Sequence, residues 1–394
     1  QPVCDHCLGR QFGQLLSGFT NDQRGRMLRT LTAMSVDVED YRGDADFSNF
    51  IGYSFHNLEL KEKIVPKECS VCFGLFEDLS KWLGKIESKA RKYEFSSFLV
   101  GTKMSSALID AEENLWERVG IEYCEPLKAE INREVGKLVE KRFGGRFNPK
   151  NPDVAFILDF DSGKPVVEVN PLFIYGEYQK LVRGIPQTKW PSRKYRTSVE
   201  QIIAAPFMKA TRGVAHSFHG MGREDIDARC LAWRPFVLEI AKPKKRRVNL
   251  VKLSKKIPKN KIRVRKLRFS GVSTVRAIKE AKVDKSYRAV VECEGKISRQ
   301  DLKKLRKLVT VIYQKTPRRV LHRRADKSRK RAVRSIKAKY IGPKRFVLVV
   351  RGEGGLYIKE LVTGDEGRTR PSAAELLGTA CACKELDVIR IHVK

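Results

Sequence analysis

The segment from His219 to Arg229 reads HGMGREDIDAR, with two glycines directly before a cluster of charged side chains. Gly220 and Gly222 permit tight backbone geometry, so the segment is expected to form a compact loop. A carboxylate beside an arginine stays ionised, as a nucleophile or a general base must be. From residue types alone, a surface turn held by salt bridges is at least as good an interpretation as a catalytic loop.

The charge that surrounds this loop lies in one half of the chain. The 394 residues include 80 Lys and Arg against 46 Asp and Glu, a net charge of +34. Residues 1–200 hold 29 basic and 29 acidic side chains, whereas residues 201–394 hold 51 and 17. Two long basic runs, 242–268 and 318–339, contribute much of this excess. Such an asymmetry favours nucleic acid as partner over a solubilising surface or a membrane surface.

Composition restricts the class of protein further. With 41% hydrophobic residues the chain can form ordinary cores, and its length suggests two or three domains. No apolar run approaches the roughly 18 residues of a membrane helix, and no secretion signal is evident. The nine cysteines are too sparse for a disulfide scaffold, and their odd number favours a reducing compartment. We therefore expect a cytoplasmic protein that does not associate with membranes.

Four cysteines form two C-x-x-C pairs, Cys4 with Cys7 and Cys69 with Cys72. This spacing lets two thiolates bind one tetrahedral ion, and two such pairs make a structural Cys4 zinc site with no open position for water. The 61 residues between the pairs then form a small subdomain that returns the chain to the metal. The alternative is two unrelated turns, one of them redox-active.

Periodicity outlines the remaining elements. Residues 22–34 are expected to form a helix with Leu28, Leu31 and Met34 at helical spacing. Residues 153–159 and 164–170 predict two strands joined by a turn, whose acids are interpreted as turn residues rather than metal ligands. The stretch 178–190 mixes aromatic residues with basic ones, a composition suited to contacts with RNA. Its basic side chains are predicted to bind RNA: Lys180, Arg183 and Lys189.

Common cofactor motifs are missing from the sequence. There is no G-x-x-x-x-G-K-[ST] loop for a nucleotide and no G-x-G-x-x-G loop for a dinucleotide or methyl donor. The zinc-deaminase signature H-x-E…P-C-x-x-C is also absent. An enzyme acting on RNA would therefore use side chains alone, without a nucleotide or other organic cofactor.

Several strings resemble one known family. Gly222-Arg-Glu-Asp225 resembles the G-R-x-D loop of pseudouridine synthases, and Gly355–Leu361 looks like their third motif, a strand bearing Tyr-Ile-Lys. Longer strings resemble the archaeal and eukaryotic tRNA pseudouridine(54/55) synthases, the tenth pseudouridine synthase family, over essentially the whole chain. These strings are 181–190, 222–229, 234–236 and 315–324, together with the two cysteine pairs and a THUMP-like region at about 90–190.

The resemblance implies the residues of an active site. Asp225 would attack or deprotonate the ribose, two roles that the sequence does not distinguish, while Lys359 would keep Asp225 charged. Tyr287 would stack on the flipped uracil and assist proton transfer at C5. Arg223 would enter the gap left by the flipped base or contact a phosphate. The pocket would be lined by Tyr357, Ile358 and Leu386.

The resemblance also implies substrate and architecture. The substrate would be uridine 54, uridine 55 or both in the T loop, with tRNA held by its T arm and elbow. Phosphates would be clamped by Arg318, Arg319, Arg323 and Arg324. The expected fold class is α+β in three modules: a zinc-binding module at 1–88, a THUMP-like α+β domain at 89–195, and a catalytic domain at 196–394 built on a mixed, mainly antiparallel sheet.

Two other functions share these features. A non-catalytic protein that binds or chaperones tRNA would use the same basic half and zinc module. A THUMP-containing methyltransferase or thiolase would also act on RNA, but the missing methyl-donor and nucleotide loops count against it. Pseudouridine formation without an added cofactor would distinguish the synthase from both.

Overall fold

The computed structural model describes residues 1–38, 46–59, 63–192 and 194–393, with the side chain of Arg323 also outside the description. The chain forms two compact units, Gln1–Asn170 and Pro171–Lys394. Among the described residues, no helix is both long enough and apolar enough to cross a lipid bilayer.

The first unit contains a four-stranded sheet covered by helices. Its helices are α1 (Asp5–Gly9), α2 (Asn21–Asp37), α3 (Leu79–Ala90), α4 (Ser106–Val119) and α5 (Leu127–Phe143). Its strands are β1 (Ser97–Lys103), β2 (Arg146–Phe147), β3 (Val154–Asp159) and β4 (Lys164–Val169). The strand order is β2-β1-β3-β4, with β1 parallel to both neighbours and β4 antiparallel to β3. The two strands predicted at 153–170 are therefore confirmed as a hairpin.

Helix α5 shows how the sequence builds this core. Its residues Leu127, Ile131, Val135 and Val139 recur every four positions and are fully buried. The helix ends at Gly144, whose backbone is left-handed, with φ of 67°. The buried face packs in the same core as the strands and as three of the four paired cysteines.

Helix α2 is confirmed as a helix, but its buried face mixes polar with apolar residues and leaves out two of the three predicted ones. Leu31 and Met34 are 62% and 66% exposed, whereas Arg29 is buried. The Arg29 guanidinium donates to Asp5 Oδ1 at 2.6 Å and to the carbonyl oxygens of Val3 and Asn49. Helical spacing of apolar residues therefore indicated the element but not the side that packs.

The second unit is built on one large sheet. Its helices are α6 (Val199–Thr211), α7 (Leu250–Ser254), α8 (Val272–Glu280), α9 (Ile358–Thr363) and α10 (Ala373–Leu377). Its strands are β5 (Leu172–Lys180), β6 (Ala215–Gly220), β7 (Arg229–Ala241), β8 (Ile262–Ser270), β9 (Lys285–Cys293), β10 (Val311–Lys315), β11 (Ser328–Gly342), β12 (Arg345–Gly352), β13 (Thr369–Arg370) and β14 (Cys381–Ile391).

The order of this sheet is β13-β10-β11-β12-β9-β14-β7-β5-β8, and β6 pairs with β7. Strands β14 and β7 run parallel, and the other pairs of the described residues are antiparallel. The α+β fold class and the mixed, mainly antiparallel sheet are thus confirmed. The parallel contact brings β14 beside β7 at the residues that follow the loop quoted first.

Strand β5 changes the predicted domain boundary. It pairs with β7 on one side and β8 on the other, so β5 and the described residues that follow it belong to the second unit and not to the THUMP-like region. The reason is burial: Ile174 and Tyr178 alternate along β5 toward one face and are fully buried in a core shared with α6. The first unit is likewise one compact body, so its division at residue 88 stays a prediction.

This assignment of β5 predicts the effect of one core substitution. Ile174→Ala should destabilise the second unit by about 2–5 kcal/mol, because Ile174 is fully buried. Hydrogen–deuterium exchange should then quicken in β7 and β8 but not in β1–β4. The matched control is Ile341→Ala in β11, where the side chain is 54% exposed. Faster exchange in β1–β4 alone would contradict the assignment of β5.

Candidate active site

The quoted loop joins β6 to β7 and forms one wall of a cleft in the second unit. The cleft has a volume of about 490 Å³, within the range of pockets that hold small ligands. Strands β9 and β14, helix α9 and the arginine-rich segment 318–324 supply the other walls. The cleft residues that carry the arguments below are Asp225, Lys285, Tyr287, Arg319, Lys359 and Leu386.

A buried network lies under the loop and holds it from below. The side chains of Glu224 and Arg234 are fully buried, with Arg234 Nε 3.1 Å from Glu224 Oε2. The Tyr178 hydroxyl donates to the same carboxylate at 2.9 Å. Burial, reinforced by the Glu224 charge, raises the pKa of Tyr178, so this hydroxyl stays a donor.

Four side chains then bind the backbone carbonyls of the loop. Arg234 donates to Met221 O at 2.8 Å and Gln187 donates to Gly222 O at 3.0 Å. Lys180 donates to the carbonyl oxygens of residues 225 and 226 at 3.0 and 3.2 Å. Arg183 donates to the carbonyl oxygen of residue 227 at 2.8 Å. The loop is therefore positioned through its main chain.

These contacts correct the interpretation of residues 178–190. Lys180 was predicted to bind RNA, but it is fully buried and its ammonium is used by three carbonyl oxygens. The Arg183 guanidinium is likewise occupied by Asp387 at 2.8 Å and by Leu386 O at 2.6 Å. Lys189 is exposed, and its predicted contact with RNA stays a prediction.

Glycine is required at position 222 for two reasons. Its φ is 73°, a left-handed conformation that other residues adopt at a cost. A Cβ at this position would also lie 2.3 Å from the Lys285 ammonium nitrogen. The glycine pattern of the quoted segment therefore reflects a close approach between the loop and β9.

Asp225 projects from this loop between two cations. Its carboxylate lies 3.2 Å from Arg319 Nη2 and 3.5 Å from Lys359 Nζ. Lys359 contacts Asp227 more closely, at 2.6 Å. Burial raises the pKa of Asp227, but the hydrogen bond from Lys359 lowers it more. The pKa of Asp227 therefore lies below its ordinary value. The predicted pairing of Lys359 with Asp225 is present in the structure, but Lys359 is shared between two carboxylates.

The structure corrects the element that carries Lys359. The resemblance predicted a strand at 355–361, whereas β12 ends at Gly352 and Lys359 lies in the first turn of α9. Gly355, with φ of 90°, lies in the turn between them. The first turn of the helix still directs Ile358 and Lys359 toward the cleft.

Arg319 also has a different environment from the one predicted. It was grouped with phosphate-binding arginines, but its guanidinium contacts Glu360 at 2.7 Å as well as Asp225. Burial opposes a charge here, yet these carboxylates raise the pKa of Arg319 above its ordinary value. Arg324 is exposed and donates to the Tyr357 hydroxyl at 2.9 Å, and Arg318 is exposed and paired with Glu366.

Tyr287 lies on β9, as expected, and faces the cleft. Burial raises the pKa of Tyr287 to about 12, so its hydroxyl is neutral at ordinary pH. Apolar side chains around it exclude water: Ile358 is 3% exposed, Leu386 7% and Val388 2%. Arg223, at the cleft rim, is exposed and makes contacts within the protein.

Sequence reasoning missed three groups of this site: Lys285, Arg234 and Glu224. Lys285 stands two residues before Tyr287 and so shares its face of β9, a signal that strand alternation would have supplied. Arg234 and Glu224 lie in segments that resemble the family, but no role follows for them from the resemblance. Their burial depends on the packing of distant strands, which local patterns do not specify.

The four paired cysteines come together in the first unit. Their sulfur atoms lie within 4.8 Å of one another, and they are the only such cluster of His, Cys, Asp or Glu among the described residues. Cys4 and Cys72 sulfurs are 3.6 Å apart, close to the ~3.8 Å between thiolates that share a tetrahedral zinc ion. The amide of Cys7 also donates to the Cys4 sulfur. The donor set therefore fits a structural metal with four sulfur ligands.

Similarity to known proteins agrees with the site. The family described as "Pus10, C-terminal" matches residues 173–392, and the "Pus10 THUMP domain, archaeal" matches residues 82–159. The second match confirms the THUMP-like region. It ends before β5, in agreement with the boundary in the structure.

Relatives that match over nearly the whole chain are also described as Pus10. The chain is 38% identical to the tRNA pseudouridine synthase Pus10 of Methanothrix thermoacetophila, over 99% of this chain and 92% of the relative. It is 40% identical to the tRNA pseudouridine synthase Pus10 of Methanocaldococcus jannaschii, with the same coverage. A solved Cbf5-Nop10-Gar1 complex is similar at a TM-score of 0.33 and 16% identity, over 54% of this chain and 47% of that chain, too low to establish a shared fold. By the family match and these relatives, the chain belongs to the Pus10 family of tRNA pseudouridine synthases.

Proposed function

We propose that the chain converts uridine to pseudouridine in the T loop of tRNA, at position 54, 55 or both, in the cytoplasm. Family membership supports the reaction class, and the observation that carries the mechanism is Asp225 held between Arg319 and Lys359 beside Tyr287. The reaction is an isomerisation, which moves no electrons to or from a partner and adds no atoms. It therefore needs no organic cofactor.

The target base must leave its stack to reach the cleft, at a cost of a few kcal/mol. Tyr287 would then stack on the uracil, with Tyr357, Ile358 and Leu386 enclosing it. Excluding water from this space strengthens the electrostatic interactions of the charged groups. Arg223, at the exposed rim, would occupy the gap in the RNA or contact a phosphate.

Asp225 would act on the ribose of the flipped nucleotide. Arg319 and Lys359 favour its ionised form, which either attack at C1′ or removal of a ribose proton requires. The N1–C1′ bond breaks, the base turns, and C5 bonds to C1′. The proton on C5 then leaves and N1 gains one, so the atoms balance.

The remaining basic residues would bind the tRNA backbone. Arg318, Arg324 and Lys189 are exposed, and Arg324 borders the cleft. We propose that they and the exposed arginines and lysines of β8 and β11 contact the T arm and elbow. Arg323 is included on the family resemblance alone. Arg319, held by two carboxylates, is proposed as a group of the active site instead.

We propose that the metal in the cysteine cluster is zinc. Four thiolates suit this ion and leave no open coordination position, so its role is structural. The cluster contributes Cys7, Cys69 and Cys72 to the core of the first unit. Metal binding and folding of that unit are then coupled.

Asp225→Asn should reduce pseudouridine formation by at least ~10²-fold, because it removes the ionised group that acts on the ribose. The assay is single-turnover reaction with an unmodified tRNA transcript, read by carbodiimide labelling and primer extension. A new stop is expected in the T loop without any added cofactor. Asp227→Asn is the matched control, since Asp227 is 68% exposed and the described structure gives its carboxylate only a contact with Lys359; it should cost far less.

Other outcomes of this assay are informative. Wild-type turnover by Asp225→Asn would refute the catalytic assignment. A stop outside the T loop would retain the enzyme but refute the proposed position. Tight tRNA binding by the wild-type protein with no modified base would favour the non-catalytic binding function.

Metal analysis of the purified protein should find about one zinc per chain. Cys72→Ser should lose the metal and lower the melting temperature of the first unit, because its core includes the cluster. The control is Cys124→Ser, a buried thiol of the same unit outside the cluster, which should keep the metal. Protein with four reduced cysteines and no metal would contradict the zinc site.

Lys180→Met and Lys189→Met should separate support of the loop from contact with RNA. Lys189→Met should reduce the slope of log Kd against log salt by about one, as expected when one phosphate contact is lost. Lys180→Met should leave this slope unchanged and destabilise the second unit by about 3 kcal/mol, since it removes a buried charge and three hydrogen bonds. A reduced salt slope with normal stability for Lys180→Met would contradict the burial seen here.

A further inference from the structure

Lys285 is a buried lysine in the wall of the cleft to which the reaction steps above give no role. It begins β9, is 8% exposed, and shares the cleft-facing side of the strand with Tyr287. Among the described residues its ammonium makes neither a hydrogen bond nor an ion pair. A buried cation without a partner is costly, so such a group in a cleft suggests an anionic ligand.

The groups around Lys285 leave positive charge uncompensated. Arg234 from β7 is fully buried, and its Nη2 atom has no hydrogen-bond partner among the described residues. Glu224 is the buried carboxylate nearby, and it is shared with Arg234 at 3.1 Å and Lys180 at 3.9 Å. Two cations therefore share one carboxylate beneath the loop, and Lys285 is a third cation that makes no ion pair with it.

Two other cations of the cleft, Arg319 and Lys359, are already held by carboxylates. Arg319 contacts Asp225 and Glu360, and Lys359 contacts Asp225 and Asp227. These contacts keep both side chains on the Asp225 side, where the ribose would react. Arg324 donates to the Tyr357 hydroxyl, and Arg223 lies at the exposed rim and makes contacts within the protein. Lys285 is thus a buried cation of the described cleft, beside Tyr287, that no carboxylate holds.

Breaking the N1–C1′ bond leaves both bonding electrons on the uracil, which becomes an anion with charge on N1, O2 and O4. Once the bound base has displaced water from the cleft, a cation already in place stabilises this charge strongly, because no solvent must reorganise. Tyr287 remains neutral, so it can donate a hydrogen bond but carries no charge.

We propose that the Lys285 ammonium stabilises the uracil anion by donating a hydrogen bond to one of its carbonyl oxygens. This inference rests on the proposed function. Lys285 keeps its proton throughout the step, so the balance of bonds given above is unchanged. The attacking or deprotonating group remains Asp225, and Lys285 lowers the energy of the leaving base.

This role has a defined pH dependence. Burial and, to a smaller extent, the charge of Arg234 lower the pKa of Lys285 to about 8, against the opposing effect of Cys230 of β7 and Glu224 of the loop. Tyr287 and Asp225 are the other titratable groups nearby in the cleft. An ammonium that must be charged loses activity as the pH rises through about 8. A lysine acting as a base would lose activity as the pH falls through the same range.

The test compares Lys285→Met and Lys285→Arg with wild type in single-turnover reactions on an unmodified tRNA transcript between pH 6.5 and 9.5. Lys285→Met should lower the rate by at least ~10²-fold, with tRNA affinity close to wild type. Lys285→Arg should keep more activity and should not lose it above pH 8, because guanidinium stays charged. Lys282→Met, an exposed lysine just before β9, is the control and should behave as wild type.

The contrary outcomes are distinct. A wild-type rate for Lys285→Met would overturn the inference while leaving the proposed function intact. A rate of the wild-type protein that rises through pH 8, together with an inactive Lys285→Arg variant, would show that Lys285 acts as a base. This outcome would also overturn the inference. If wild type forms no pseudouridine, the proposed function fails and this inference with it. Should Lys285→Met fail to fold, judged by circular dichroism, the pH profile of Lys285→Arg decides.

Discussion

The buried carboxylate of Glu224 is the constraint on which the active-site loop depends. It lies between Arg234, Lys180 and the Tyr178 hydroxyl, and none of these side chains reaches solvent. Removing one member of such a buried network leaves an uncompensated charge, which costs about 3–5 kcal/mol. Arg234 and Lys180 also bind the loop carbonyls, so the free energy that keeps the network together also fixes the position of Asp225.

Local sequence patterns predicted the helices and strands better than they predicted which side chains are buried and what those side chains contact. The hairpin at 153–170 and helix α2 followed from alternation and helical spacing, because those signals depend on neighbours in sequence. The role of Lys180 did not follow, since a lysine among basic and aromatic residues has the composition of a nucleic-acid contact. Its burial arises from pairing of β5 with β7 and β8, strands that lie at least 49 residues further along the chain.

In the active site, too, the sequence identified the principal residues but not the side chains that contact them. Asp225, Tyr287 and Lys359 were identified by resemblance, and the structure brings them into one cleft. The partners that set their electrostatics were not identified, because Glu360 and Asp227 pair with Arg319 and Lys359 only after α9 forms beside the loop. A basic half-chain therefore contains two kinds of cation: exposed groups suited to phosphate, and paired groups that shape the chemistry.

The loop is held by its carbonyl oxygens, so its backbone conformation does not depend on which side chains it exposes. Contacts to the main chain at residues 221, 222, 225, 226 and 227 would persist whatever side chains project into the cleft. Chemistry and scaffold can thus vary independently. A version of the protein with an inert residue in place of the reactive one should keep an intact docking surface, and would serve to trap the substrate complex for structure determination.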